Sequence, residues 1–245
     1  MRQRLHGLDA LRGLTLLSMI AYHTAWDLVY MFGVNWPWYR SPGAFLWQQS
    51  ICWTFILLSG FCVRLGRRTL RRGVTVFLCG ALITAVTVAL MPGNRVFFGV
   101  LSLLGASMLL TAALQPYLDR IPPAFGLAAS FALFLLCYPV QQGAFGLGVY
   151  VRLPAWLYRN DFTACLGFPP HGFFSVDYFP LLPWAFLFWT GYFLSGLVRD
   201  PPRILVETRP PLLTAMGRRS LEIYLFHQPV IYALLTLLYS LHTRG

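Results

Sequence analysis

The sequence predicts an all-α fold: a polytopic integral membrane bundle of about seven spanning helices with its N-terminus in the cytoplasm. Three observations carry that expectation. Of 245 residues, 57% are hydrophobic and 11% charged, whereas soluble domains run near half apolar and a quarter charged. The apolar residues gather into stretches free of Asp, Glu, Lys and Arg, each reaching the ~20 residues that a hydrocarbon core requires. The 19 basic residues, all arginine, fall mainly in alternate loops. The same composition excludes a disordered chain, a collagen-like chain, a disulfide-stapled secreted scaffold and, despite a net charge of +11, a soluble nucleic-acid binder. The lack of lysine excludes Schiff-base chemistry and a phosphate-loop lysine.

The spans follow in order. The first covers 13–32 and is interrupted only by Asp27. Tyr22, His23 and Asp27 stand where a signal peptide would place small residues for cleavage, so this segment is read as retained. The next are 41–63, 73–94, 96–118, 121–151, 178–198 and 223–243. The stretch 121–151 is long enough to hide an extra short or re-entrant piece. Met91-Pro-Gly-Asn94 makes a tight hairpin, and Pro122-Pro123 opens the fifth span. Residues 142–176 are rich in Gly, Pro and aromatics without helical period, and are read as an outer loop or re-entrant cap over a cavity. The whole of 1–245 is taken as one domain.

Orientation comes from the arginines. With the N-terminus inside, fourteen of the 19 fall on the cytoplasmic face, among them the Arg64–Arg72 cluster and Arg199–Arg219. That is the bias the positive-inside rule predicts, and seven spans then put the C-terminus outside. Trp36, Trp38, Tyr39, Trp47, Trp156 and Tyr158 fit an outer aromatic belt. Of the five cysteines only Cys165 lies outside a span, so no disulfide framework is expected. No Cys/His spacing points to a metal.

Ionisable groups inside a span are costly and point to function. The first span concentrates them: Asp9, Arg12, His23 and Asp27. Arg12 and His23 are eleven residues apart, about three turns, and so share a helix face, with His23 roughly 16 Å deeper. Asp27, one turn on, extends the stripe. A carboxylate there would fix the imidazole tautomer and raise its basicity, giving a general base. The plainer alternatives are an interfacial helix start for Asp9 and Arg12, and a buried imidazole bonded to another helix for His23. In the last span His227 lies eight residues beyond Arg219, with Glu222, Tyr224 and Gln228 nearby and Pro229 removing a backbone donor; polar glue between helices is its alternative reading. Arg64, Arg67, Arg68, Arg71 and Arg72 serve as a topology and lipid-contact signal, or as a cytoplasmic cradle for the phosphates of a nucleotide-bearing donor.

The pattern also has a family likeness. Leu8-Asp-Ala-Leu-Arg-Gly-Leu-Thr15 with His23 resembles the signature of transmembrane acyltransferases, and Leu58-Ser-Gly-Phe61 resembles their second-helix segment. Residues 97–105, Asp177-Tyr-Phe-Pro-Leu-Leu-Pro-Trp184 with Gly191, and 217–229 are similar to bacterial relatives of the heparan-α-glucosaminide N-acetyltransferase catalytic domain. The resemblance implies an acetyl or other acyl group taken from cytoplasmic acyl-CoA and passed to an amino or hydroxyl group, often of a sugar, at the outer side. It implies His23 as the catalytic residue and Arg12 on the donor side; Asp27 and His227 join the expected catalytic set from the reading of the spans above. The expected donor set is Arg12, Ser59, Arg64, Arg67 and Arg68, and the expected acceptor-side set Asp177, Tyr178 and Trp184.

Acyl-CoA is then a co-substrate, and no cofactor or metal is expected. The other expected partners are membrane lipids and a glycan or lipid-linked sugar, with a homodimer left open, in the cytoplasmic membrane of a bacterium. Two other classes compete: a proton-coupled transporter using the same His and Asp, and a non-catalytic membrane scaffold. Transport would favour inverted repeats, and the sequence holds none.

Overall fold

The computed structural model describes residues 5–198, 205–206 and 210–242. Among the described residues seven helices of fifteen residues or more dominate: α1 (His6–Tyr30), α2 (Pro42–Leu65), α3 (Thr69–Leu90), α4 (Val100–Leu118), α5 (Pro123–Cys137, continued by a 3₁₀ turn Tyr138–Gln142), α7 (Leu181–Leu197) and α9 (Ser220–His242). Shorter elements are the strands β1 (Ala144–Leu147) and β2 (Val149–Arg152), the single turn α6 (Asp161–Ala164) and helix α8 (Pro211–Arg218). Five helices, α2, α3, α4, α5 with its 3₁₀ extension, and α9, are long and apolar enough to cross a membrane. α7 is apolar but shorter, and α1 carries Asp9, Arg12 and Asp27 within its length. The fold is an all-α membrane bundle with one small hairpin.

The chain divides into two compact units, one made of residues 1–55 and 200–245, the other of 56–199. α2 contributes to both. In the first unit α8 lies across α1 at two glycines. A side chain on Gly13 would collide with the Leu213 backbone, and one on Gly217 with the Asp9 backbone. Close approach of this kind is how helices associate where lipid supplies no hydrophobic drive between them. Leu16, Met19 and Ile51 form the core here, with Trp47, Met216 and Ile223 packed round it. Trp47 Nε1 donates to Ser18 Oγ at 2.8 Å, tying α2 to α1. Tyr39, expected in the aromatic belt, is instead buried with Ala25 and Val29, while Trp36 and Trp38 remain exposed.

In the second unit the same device recurs. A Cβ on Gly80 would meet Ser102 and one on Gly105 would meet Phe77, which seats α3 on α4. Gly60 of α2 faces the Phe188 carbonyl of α7, and Gly191 of α7 faces the Leu57 carbonyl of α2. Each backbone thus fills the space left by the other's missing side chain. Between α5 and α7, Phe134 and Phe188 are fully buried and Thr190 Oγ1 donates to Ser130 Oγ at 3.1 Å. The apolar stretch 121–151 contains α5 and then the hairpin, with Phe145 opposite Val151. Glycines end the helix there: Gly143, Gly146 and Gly148 all take positive φ, where other residues are strained.

Candidate functional site

In the first unit α1 and α9 bring together the half-buried His23, His227 and Gln228 and the buried Asp27. His23 and His227 lie with ring centroids 4.9 Å apart and planes inclined by 60°. Asp27 is fully buried, and Gln228 Nε2 donates to its Oδ1 at 2.6 Å. His227 Nδ1 stands 2.5 Å from the carbonyl oxygen of Tyr224. A carbonyl only accepts, so Nδ1 carries the hydrogen and the lone pair of the neutral ring is on Nε2. That Nε2 is buried and has no hydrogen-bond partner among the described residues; the same holds for Asp27 Oδ2 and Gln228 Oε1. Three acceptors without donors, beside a second imidazole, form a place where a group bearing N–H or O–H hydrogens would be held.

The stripe on the first span named His23 and Asp27 and the last span supplied His227, and the structure places His227 in ring contact with His23, with its neighbour Gln228 on Asp27. The pairing within the group differs from the expected one. Asp27 is bonded to Gln228 of the facing helix, not to His23 one turn away on its own helix. A carboxamide aimed at the carboxylate from α9 takes the bond that i,i+4 spacing reserved for the imidazole. In the sequence Gln228 is only a polar neighbour of His227, without a role. Its signal was present, since it stands between His227 and Pro229 in the same polar turn.

Arg12, at the base of the stripe, is used locally. Its Nη1 lies 3.5 Å from Asp9 Oδ1 and 3.5 Å from the Gly217 carbonyl oxygen, to which it donates. Asp9 Oδ2 also faces Arg218 Nε at 3.7 Å. The buried Asp9 thereby clamps α8 onto α1 through two arginines.

The expected donor residues of the second unit separate. Arg64 and Arg68 line a cavity of about 440 Å³ with Thr69, Gln115 and Tyr192, while Arg67 does not. Arg64 packs its guanidinium 5.2 Å from the Tyr192 ring centroid and places Nη2 3.8 Å from Asp119 Oδ1, which Tyr192 Oη reaches at 2.6 Å. Arg64 Nη1 is buried and has no hydrogen-bond partner among the described residues, an opening for an anionic oxygen. Asp119, Gln115 and Tyr192 had no motif to announce them. Ser59 is half-buried on α2 beside Gly60.

The family model of the heparan-alpha-glucosaminide N-acetyltransferase catalytic domain matches residues 4–229. The chain belongs to this family of membrane acetyltransferases. No curated protein and no solved structure matches it significantly. In this acetyltransferase-family chain the family-like segments named from sequence have separable jobs. Gly60 and Gly191 set the approach of α2 and α7. The 97–105 and 177–184 segments bind each other: Phe179 N donates to the Phe98 carbonyl at 2.8 Å, Phe97 N to Ser175 Oγ at 2.9 Å, and Val100 N to Asp177 Oδ2 at 3.0 Å.

Asp177 therefore caps α4 from 77 residues away, supplying the acceptor that a helix N-terminus lacks. Tyr178 Oη donates to the Ala164 carbonyl at 2.7 Å, and Trp184 is buried against Phe134 and Phe179. Burial pushes the Asp177 carboxyl up to about 6, partly offset by the Val100 N–H. From the ordinary value of 3.8 to about 6, the folded protein keeps a proton that the unfolded chain has lost. Stability from this group therefore falls as pH rises through that window. Asp177→Asn keeps an oxygen for Val100 and removes the titration. The melting temperature of the parent should decline relative to the Asn variant between pH 3.8 and 6; parallel curves would assign the carboxyl no such shift.

Proposed function

We propose that this chain transfers an acetyl, or other acyl, group from cytoplasmic acyl-CoA to an amino or hydroxyl group of an acceptor, a free or lipid-linked sugar, at the outer face. In this reading seven helices span the cytoplasmic membrane of a bacterium, with the N-terminus inside. The observation that supports it most is the imidazole pair, in which His227 presents a lone pair of fixed direction. The acceptor's N–H or O–H donates to that Nε2, the freed nitrogen or oxygen attacks the thioester carbon, and the carbon–sulfur bond breaks. The proton then passes from the imidazolium to the departing thiolate, which restores the neutral ring. His23, in ring contact, is the second proton-handling group, and either ring can carry the acyl group transiently. Asp27 and Gln228 position the acceptor through their unpaired oxygens. Arg64 and Arg68 hold donor phosphates, arginine forks being suited to phosphate oxygens.

The test begins with purified protein, radiolabelled acetyl-CoA and a panel of amino sugars and sugar alcohols. Absence of label transfer to every acceptor, and of slow hydrolysis, would leave the reading without an activity. The donor site is tested by Arg64→Gln with Arg68→Gln. CoA affinity should fall about a hundredfold or more, since each of the two lost charge-assisted contacts is worth about 1.5–3 kcal/mol. Arg67→Gln should change it little. A pantetheine fragment lacking the nucleotide should bind all variants alike. Equal loss for fragment and CoA would point to misfolding instead.

A further inference from the structure

The first unit carries a second cavity that plays no part in the chemistry above. It is an open cleft of about 700 Å³ where α8 turns into α9. Its lining is apolar at Met216, Ile223 and Phe226 and charged at Arg218, Arg219 and Glu222. Arg218 is engaged with Asp9 and with His6 Nδ1 at 3.2 Å. Arg219 and Glu222 are exposed, and the side chain of neither has an ion-pair or hydrogen-bond partner among the described residues. Arg219 is the turn residue between α8 and α9, and Glu222 lies in the first turn of α9; they do not bond each other. A cation and an anion thus line one cleft.

Depth fixes what can meet them. The apolar helix able to cross a membrane begins at Ser220, so Arg219 and Glu222 stand where its hydrocarbon-facing length starts. Phe226, 65% exposed, is about 9 Å further along at 1.5 Å per residue. Charges at the entrance and an exposed aromatic a turn and a half deeper match the two parts of a phospholipid. A purely anionic headgroup would satisfy Arg219 and be repelled by Glu222. A zwitterionic one satisfies both, phosphate on arginine and ammonium on glutamate.

We infer that the α8–α9 corner is a binding site for one amine-bearing zwitterionic phospholipid, its phosphate on Arg219, its ammonium on Glu222 and an acyl chain along Ile223 and Phe226. The site is independent of the proposed transfer reaction.

The experiment is lipid retention by native mass spectrometry on detergent-purified, delipidated protein titrated with dioleoyl-phosphatidylethanolamine or dioleoyl-phosphatidylglycerol. The parent should retain the ethanolamine lipid in preference. Arg219→Gln should weaken that retention about tenfold, and Glu222→Gln should turn the preference towards the glycerol lipid. Phe226→Ala should weaken both lipids alike. Both charged residues are exposed, so an unchanged melting temperature shows that each variant is folded. Equal retention of the two lipids by the parent would overturn the inference, as would a Glu222→Gln variant with unaltered preference. Displacement of bound lipid by CoA, one for one, would reassign the arginines to the donor and overturn it as well.

Discussion

Replacing His227 with Ala is expected to lower acyl transfer by about 10²–10⁴-fold, the range for losing a general acid–base group, and as severely as replacing His23. From sequence, His23 ranks above His227 because it has Asp27 one turn away, Arg12 beneath it and the match to the acyltransferase spacing. The structure gives Asp27 and Arg12 other partners, which leaves the spacing as the ground for that ranking. Asp27 is bonded to Gln228, and Arg12 to Asp9 and the Gly217 carbonyl. His227, in contrast, has its Nδ1 hydrogen committed to the Tyr224 carbonyl and its Nε2 lone pair unpartnered among the described residues. Single-turnover rates on label transfer, with CoA affinity and melting temperature as controls for folding, read the comparison. A His227→Ala enzyme at near-parental rate, beside an inactive His23→Ala, would restore the first ranking and make His227 a packing residue.

Gly60→Ala and Gly191→Ala are expected to destabilise the second unit by about 4 kcal/mol or more each, the exceptional end of single-substitution effects. Elsewhere in a helix the same change would help by about 1 kcal/mol, alanine being the better helix former. Here the added methyl has no room. At Gly60 it meets the Phe188 carbonyl carbon at 2.8 Å with the oxygen nearer still, and at Gly191 the Leu57 carbonyl carbon at 2.9 Å and Phe61 N at 3.0 Å. These are backbone atoms, so the helices must part rather than a side chain swing aside. Thermal unfolding in detergent, with Gly93→Ala as control because nothing lies within 4 Å of a Cβ there, decides the matter. An unchanged or higher melting temperature for Gly60→Ala would mean that α2 and α7 do not meet backbone to backbone.

Helix positions were legible in the sequence wherever charge-free length and helix coincide. They stopped being legible where an apolar run is not helical. Val149, Tyr150 and Val151 count towards a span by composition, yet follow Gly143, Gly146 and Gly148 and form a strand. Residues 96–99 look like the start of a span, but their backbone is drawn into pairing with 175–179, and α4 begins only at Val100 under the Asp177 cap. The site showed the same division. Helical periodicity put His23, Asp27 and Arg12 on one face, because periodicity is a local property. It could not supply the facing helix, and the choice of Asp27 between His23 and Gln228 is made by a residue 201 positions away. Likewise the motif glycines were visible as letters, while their reason, a carbonyl on another helix, was not.

The Asp27–Gln228 bond has a bearing on how the chain is made. At about 5–20 residues per second, the ribosome needs roughly 10–40 s to add the 201 positions between the carboxylate and its amide. Throughout that interval α1 holds a buried acid without the donor that will stabilise it, in a helix less apolar than the five that can cross a membrane on composition alone. If α1 spans the membrane as proposed, its insertion is provisional until α9 arrives, and a nascent chain that stops short of α9 contains one imidazole of the pair but never both. For the proposed transfer, assembly of the imidazole pair is then a late event of biogenesis, which follows the synthesis of α9.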